Sequence, residues 1–110
     1  MFSIKRGDRR PYLEVILEER ITDGASAAYN LTGLTVRFLM RNKVTGVLKV
    51  DQPATIVTAT DGRVRYAWGA ADTDTVGLYQ VEWEINYGTG VTQTVPGSDY
   101  QYVNVTQDLG

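Results

Sequence analysis

The chain has 110 residues, 43% of them hydrophobic, and a formal net charge of −2. That length fits one domain with one modest core, spanning residues 1–110. Cysteine and histidine are absent, which excludes disulfides, thiolate zinc sites, histidine switches and Cys or His nucleophile–base pairs, and the slight negative charge argues against a general nucleic-acid binder.

Met1-Phe2-Ser3-Ile4-Lys5-Arg6 lacks the apolar run of a signal peptide. No later run reads as a membrane span. Synthesis in the cytoplasm, with no membrane partner, is the expectation. Phe2 and Ile4 alternate with polar neighbours as a short first strand, which Arg6-Gly7-Asp8-Arg9-Arg10-Pro11 breaks. Tyr12 to Glu19 reads as a second strand, with Leu13, Val15 and Leu17 inward. Thr22 to Asn30 reads as a polar loop with a turn at Asp23-Gly24. Leu34, Val36, Phe38 and Met40 then share an inner face, with Leu39 as the exception.

Asn42 to Gly46 reads as a turn and Val47 to Asp51 as an edge strand. Pro53 cannot donate a backbone hydrogen bond, so it is expected to open the next segment, a strand from Ala54 to Ala59. Thr60-Asp61-Gly62 is a hairpin-type turn. Val64, Tyr66 and Trp68 alternate with Arg63, Arg65 and Ala67. Gly69 to Val76 is a connection with room for a helical turn at 70–75.

The strongest strand follows. Tyr79, Val81, Trp83, Ile85 and Tyr87 point one way, and Gln80, Glu82, Glu84 and Asn86 the other. Such alternation marks a half-buried strand. Val91 to Val95 returns, Pro96-Gly97 interrupts, and Tyr100 to Thr106 is last. Its tyrosines and valines lie on opposite phases, which predicts a bulge or burial on both sides.

Short strands separated by regular turn signals predict an all-β fold, an immunoglobulin-like antiparallel β-sandwich of seven to nine strands. Charge supports a strand order. Acidic Glu14 and Glu18 complement Arg63 and Arg65, and basic Arg37 and Arg41 complement Glu82 and Glu84. These are the B–E and C–F neighbours of such a sandwich, so contact of Arg37 or Arg41 with Glu82 or Glu84 is expected. Gly77-Leu78-Tyr79 after Asp74 fits a tyrosine corner, in which the hydroxyl bonds back to upstream backbone.

Chemistry-bearing motifs are sparse. Arg6-Gly7-Asp8 spells an integrin-recognition tripeptide but is expected as a structural turn. Lys5, Arg6, Arg9 and Arg10 form a basic cluster, either solvated or meeting an acidic partner. Asp72-Thr73-Asp74-Thr75-Val76-Gly77 begins like a calcium loop but puts Val76 and Trp83 at ligand positions five and twelve, so a hydrogen-bonded turn is expected. Trp68 and Trp83 fall on inward phases and read as core rather than sugar-stacking platforms. The sequons Asn30-Leu31-Thr32 and Asn104-Val105-Thr106 carry little weight without an export signal. The serines have no histidine to activate them. No catalytic residue, metal or cofactor is expected. Tyr12, Tyr29, Tyr100 and Tyr102, with Arg9 and Arg10, are the candidate interface residues. Val47 to Asp51 or Tyr100 to Thr106 would be an edge able to accept a partner strand.

An ordered set of segments carries a family resemblance. It comprises Ile4-Lys5-Arg6-Gly7-Asp8 with Pro11, Leu31-Thr32-Gly33-Leu34-Thr35-Val36-Arg37-Phe38-Leu39-Met40-Arg41, and Asp51 with Ala54-Thr55-Ile56-Val57. Asp61-Gly62-Arg63-Val64-Arg65-Tyr66-Ala67-Trp68, Asp72-Thr73-Asp74-Thr75-Val76-Gly77-Leu78-Tyr79 and Val81-Glu82-Trp83-Glu84-Ile85 complete it. Across residues 2–106 the chain resembles the immunoglobulin-like N-terminal domain of tailed-bacteriophage baseplate upper proteins and related short virion proteins. The resemblance implies a non-enzymatic structural module in the virion. Such a module docks to other tail, baseplate, neck or fibre proteins, as a homo-oligomer or symmetric array. With Gly110 just after the last strand, an adaptor, collar or decoration role is expected. A carbohydrate-binding or host-adhesion module is the alternative.

Overall fold

The computed structural model describes residues 1–20, 26–95 and 101–109, and these form one 3₁₀ turn, at Ala59–Asp61, and eleven strands. They are β1 (Phe2–Lys5), β2 (Leu13–Ile16), β3 (Glu18–Arg20), β4 (Ser26–Ala28), β5 (Thr35–Asn42) and β6 (Leu48–Pro53). There follow β7 (Thr55–Thr58), β8 (Arg63–Tyr66), β9 (Gly77–Asn86), β10 (Thr92–Val95) and β11 (Tyr102–Thr106). One sheet runs β1-β11-β9-β5-β6, with β10 also paired to β9. A second runs β2-β8-β7, and β3 pairs with β4. β9 is the hub: β5 lies along one edge, while β11 and β10 share the other.

The two larger sheets pack around one core in a sandwich-like all-β arrangement. Tyr79, Val81, Trp83 and Ile85 of β9 are buried, as are Val36, Phe38 and Met40 of β5. Leu13, Val15, Val64 and Tyr66 belong to the same core from the facing sheet. The Phe38 ring stacks on Tyr66 with centroids 4.3 Å apart and meets the edge of Trp68 at 5.8 Å. Each large apolar side chain so buried contributes roughly 1.5–3 kcal/mol. The Tyr79 hydroxyl donates to Thr75 O at 2.8 Å, the upstream backbone bond its sequence setting predicts.

Several elements differ from the sequence reading. The strand expected from Tyr12 to Glu19 divides at Leu17. That residue's N–H donates to Gly62 O at 2.8 Å, and its carbonyl accepts from Tyr29 N at 2.9 Å, so its backbone serves two different partners. Part of the expected polar loop is β4, which pairs with β3. The Asp23-Gly24 turn and the Pro96-Gly97 break lie outside the described residues. With such divisions the described residues hold eleven strands. The pairing is also not wholly antiparallel, because β1 runs parallel to β11.

Pro53 closes β6 instead of opening β7; on an edge strand its missing N–H leaves no ladder bond unmade. Tyr87 lies beyond β9 and is exposed, since the alternation ends with the strand at Asn86. Segment 70–75 forms turns, with Asp72 N–H donating to Gly69 O and Asp74 N–H to Ala71 O. Val103 and Val105 take the buried phase of β11, with Tyr102 half-buried opposite. β11 is paired on both sides, with β1 and β9; among the described residues β1, β6 and β10 are the outer strands of that sheet.

Both predicted strand neighbours pair as expected, β2 with β8 and β5 with β9. Arg63 Nη1 reaches Glu14 Oε2 at 3.3 Å. Arg37 stands opposite Glu84, yet it does not pair with it. Its Nε donates instead to Asp51 Oδ1 at 2.8 Å and its Nη2 to Asp51 O at 3.0 Å. β6 offers a carboxylate and a carbonyl at one residue, which satisfies two guanidinium donors together. Arg41 donates to Gly46 O at 2.7 Å, so the expected contacts to Glu82 or Glu84 do not form.

Candidate docking surface

The segment after β1 is fastened before it reaches the basic cluster. Gly7 has φ +83°, in the left-handed region that suits a tight glycine turn. Arg6 N–H donates to Thr106 O and Gly7 N–H to Thr73 O, at 2.8 and 2.9 Å. The buried Thr73 returns a hydroxyl bond to Asp8 O at 2.8 Å. Arg6 also pairs with Asp108 at 2.8 Å. The Arg6-Gly7-Asp8 tripeptide is therefore a structural turn, as its sequence suggested.

Beyond it, Trp68 clamps the chain at two points. Its indole Nε1–H donates to Pro11 O at 3.0 Å, and its own carbonyl accepts from Arg9 Nε at 3.0 Å. Arg9 is thereby oriented through Nε, which leaves both terminal Nη groups available. Tyr12 follows, half-buried, with the Arg10 guanidinium 5.1 Å from its ring centroid and that of Arg65 at 5.2 Å. These are cation–π distances. Arg10 Nη2 also donates to the Tyr12 hydroxyl at 3.3 Å. Arg9, Arg10, Tyr12, Ala67 and Trp68 line a surface recess of about 330 Å³.

The electrostatics of this recess are one-sided. Among the described residues, the ion pairs are Arg6–Asp108, Arg37–Asp51, Lys49–Asp74 and Arg63–Glu14. Arg9, Arg10 and Arg65 take part in none of them. Arg10 and Arg65 thus lie over the Tyr12 ring and Arg9 on the Trp68 carbonyl without an ion-pair partner, while Glu14, opposite Arg65, is taken by Arg63.

The structure brings Arg9, Arg10 and Tyr12 together and adds Arg65, which the sequence reading assigned to a strand face. The other candidates lie apart. Tyr29 is half-buried and its hydroxyl accepts from Gln93 Nε2 at 2.8 Å, while Gln93 Oε1 accepts from Tyr87. Burial and the nearby Glu19 carboxylate push the Tyr29 pKa up. Tyr102 lies beneath Lys43, whose Nζ is 5.4 Å from the ring centroid. Tyr100 lies outside the described residues.

The acidic stretch 72–77 is occupied by local bonds. Asp72 accepts from the Tyr66 hydroxyl and from Gly69 N–H, and Asp74 from Lys49 and Thr75. Burial first, then the bond to Asp72, raises the Tyr66 pKa. Asn30 Oδ1 accepts from the Thr32 N–H and hydroxyl, a local turn contact. Trp68 and Trp83 are both core residues. No protein-family model matches the chain, and no curated protein matches it.

Proposed function

We propose that this chain is a non-enzymatic structural module of a tailed-bacteriophage virion, immunoglobulin-like in type, that docks to other tail, baseplate, neck or fibre proteins. The observation that best supports the reading is the strand order. The order β11-β9-β5-β6, with β10 on the same edge of β9 as β11, facing β2-β8-β7 is the order expected for G-F-C-C′ against B-E-D, and so supports that reading. The Tyr79 hydroxyl bonded to Thr75 O sits at the start of the strand that would be F. The Arg9, Arg10 and Tyr12 surface supports docking, since it presents charge and aromatic area away from the core. In a symmetric particle, modest contacts repeated over many copies suffice for stable attachment.

Co-sedimentation with virions of the phage encoding the chain tests the reading. Saturable association, with density for the domain in an electron-microscopy map of the particle, is the expected result. Failure to associate, combined with saturable glycan binding, would replace this reading with the adhesion alternative.

A further inference from the structure

We propose that the recess lined by Arg9, Arg10, Tyr12, Ala67 and Trp68, with Arg65 against the Tyr12 ring beside it, is the docking site for a short acidic polypeptide segment of a partner protein, with Arg9 gripping a carboxylate through both Nη groups. The proposal rests on the docking role above and names its partner chemistry. Three observations carry it. First, Arg9 is held by its Nε bond to Trp68 O, so its guanidinium plane is set before a partner arrives. An oriented guanidinium fork matches the two oxygens of a carboxylate.

Second, Arg10 and Arg65 both lie against the Tyr12 ring without an ion-pair partner, and Glu14, which stands opposite Arg65, is engaged by Arg63. Packing like charges together is unfavourable, and an incoming carboxylate relieves it. Arg6, Arg37 and Arg63, by contrast, have carboxylate partners within the chain. Third, Tyr12, Ala67 and Trp68 supply apolar lining, which accommodates the carbon atoms of a side chain or backbone. Aromatic and arginine residues in one recess are the usual composition of an interface anchor.

A polypeptide fits better than a nucleic acid. The recess gathers its arginines around a single ring, whereas a nucleic-acid strand needs cations spaced along a track. The chain as a whole is net acidic, which repels an extended polyanion beyond the recess.

The test uses the purified full chain and a ten-residue glutamate peptide, followed by two-dimensional NMR with arginine Nε–Hε and tryptophan indole signals. Parallel arms use inorganic phosphate and a single-stranded deoxyoligonucleotide. Saturable shifts confined to Arg9, Arg10, Tyr12, Arg65, Ala67 and Trp68 on peptide addition, weakening with salt, are expected. Arg10→Ala with Arg65→Gln should weaken peptide binding by about tenfold or more while the fold is unchanged. Arg9→Lys retains the charge and should still weaken binding several-fold, because the fork is lost.

Peptide binding unaffected by these substitutions, or shifts located elsewhere, would overturn the proposal. Tighter binding of the oligonucleotide than of the peptide would also overturn it, in favour of a nucleic-acid surface, and binding of phosphate alone would reduce the recess to a small-anion site. If wild-type protein associates with virions while the peptide does not bind, the virion role stands and only the acidic-segment assignment fails.

Discussion

Gly62 offers the sharpest test of how the β2-β8-β7 sheet is joined to the β3-β4 pair. It follows the 3₁₀ turn at Ala59–Asp61 and has φ +67°, left-handed backbone that an L side chain rarely adopts. A Cβ at this position would lie 2.6 Å from Leu17 O and 2.9 Å from Tyr29 O. Both are backbone atoms, and Leu17 O is itself accepting from Tyr29 N–H. The neighbours cannot swing away as a flexible side chain does. Gly62→Ala should therefore cost about 1 kcal/mol for the left-handed conformation and about 1–3 kcal/mol for displacing packed backbone. Gly33→Ala is the matched control, because Gly33 has φ +77° and nothing within 4 Å of its would-be Cβ. It should cost only the conformational part, about 1 kcal/mol. Urea unfolding followed by tryptophan fluorescence measures both, and in thermal unfolding Gly62→Ala should lower the melting temperature by about 8–17 °C. Equal losses for the two variants would refute the close approach of Leu17, Tyr29 and Gly62.

Tyr79→Phe should destabilise the chain by about 1–2 kcal/mol in urea unfolding, because Thr75 O loses its donor while the ring stays in place. Trp83→Phe should cost less than Trp68→Phe in the same assay. The buried Trp83 Nε1 has no hydrogen-bond partner to lose, whereas Trp68 Nε1 holds Pro11 O. The reverse order would contradict that assignment. The hydrogen bond from Lys49 first, then that from Thr75, lowers the Asp74 pKa below its ordinary 3.8. A depressed carboxyl pKa contributes stability above the unfolded value and loses it as pH falls through the folded one. NMR titration of Asp74 should have its midpoint below 3.8, returning toward that value in Lys49→Met.

The sequence exposed what depends on period and sign. The alternation from Tyr79 to Ile85 announced a half-buried strand, and the opposite charges of Glu14 and Arg63 announced a strand pair that the structure contains. It concealed what depends on choosing between neighbours. Arg37 sits between Glu84 on β9 and Asp51 on β6, and nothing in the order of residues says that Asp51 receives the guanidinium. The break at Leu17 was hidden for a similar reason, since an unbroken apolar alternation does not reveal that one carbonyl serves a distant Tyr29. Arg9, Arg10 and Tyr12 were legible as neighbours along the chain. Arg65 was not, because its approach to Tyr12 depends on the register of the β2–β8 pair, which sets Leu13 opposite Tyr66.

Trp68 makes the geometry of that surface a consequence of the core. Its ring meets Phe38 and Tyr66 edge-on, at 5.8 and 5.4 Å between centroids, and is only 2% exposed. From that fixed position its indole N–H holds Pro11 O and its carbonyl holds Arg9 Nε. Arg10 lies between these two anchored residues and reaches Tyr12, which directly precedes β2. The arginines are thus carried on a short bridge fastened to the packed interior, rather than on a free tail. A partner that meets them loses less conformational freedom in ordering the site, so fewer contacts are needed for the same affinity. Charge alone would attract an acidic segment to any basic loop; the two Trp68 bonds are what give this one a fixed shape to recognise.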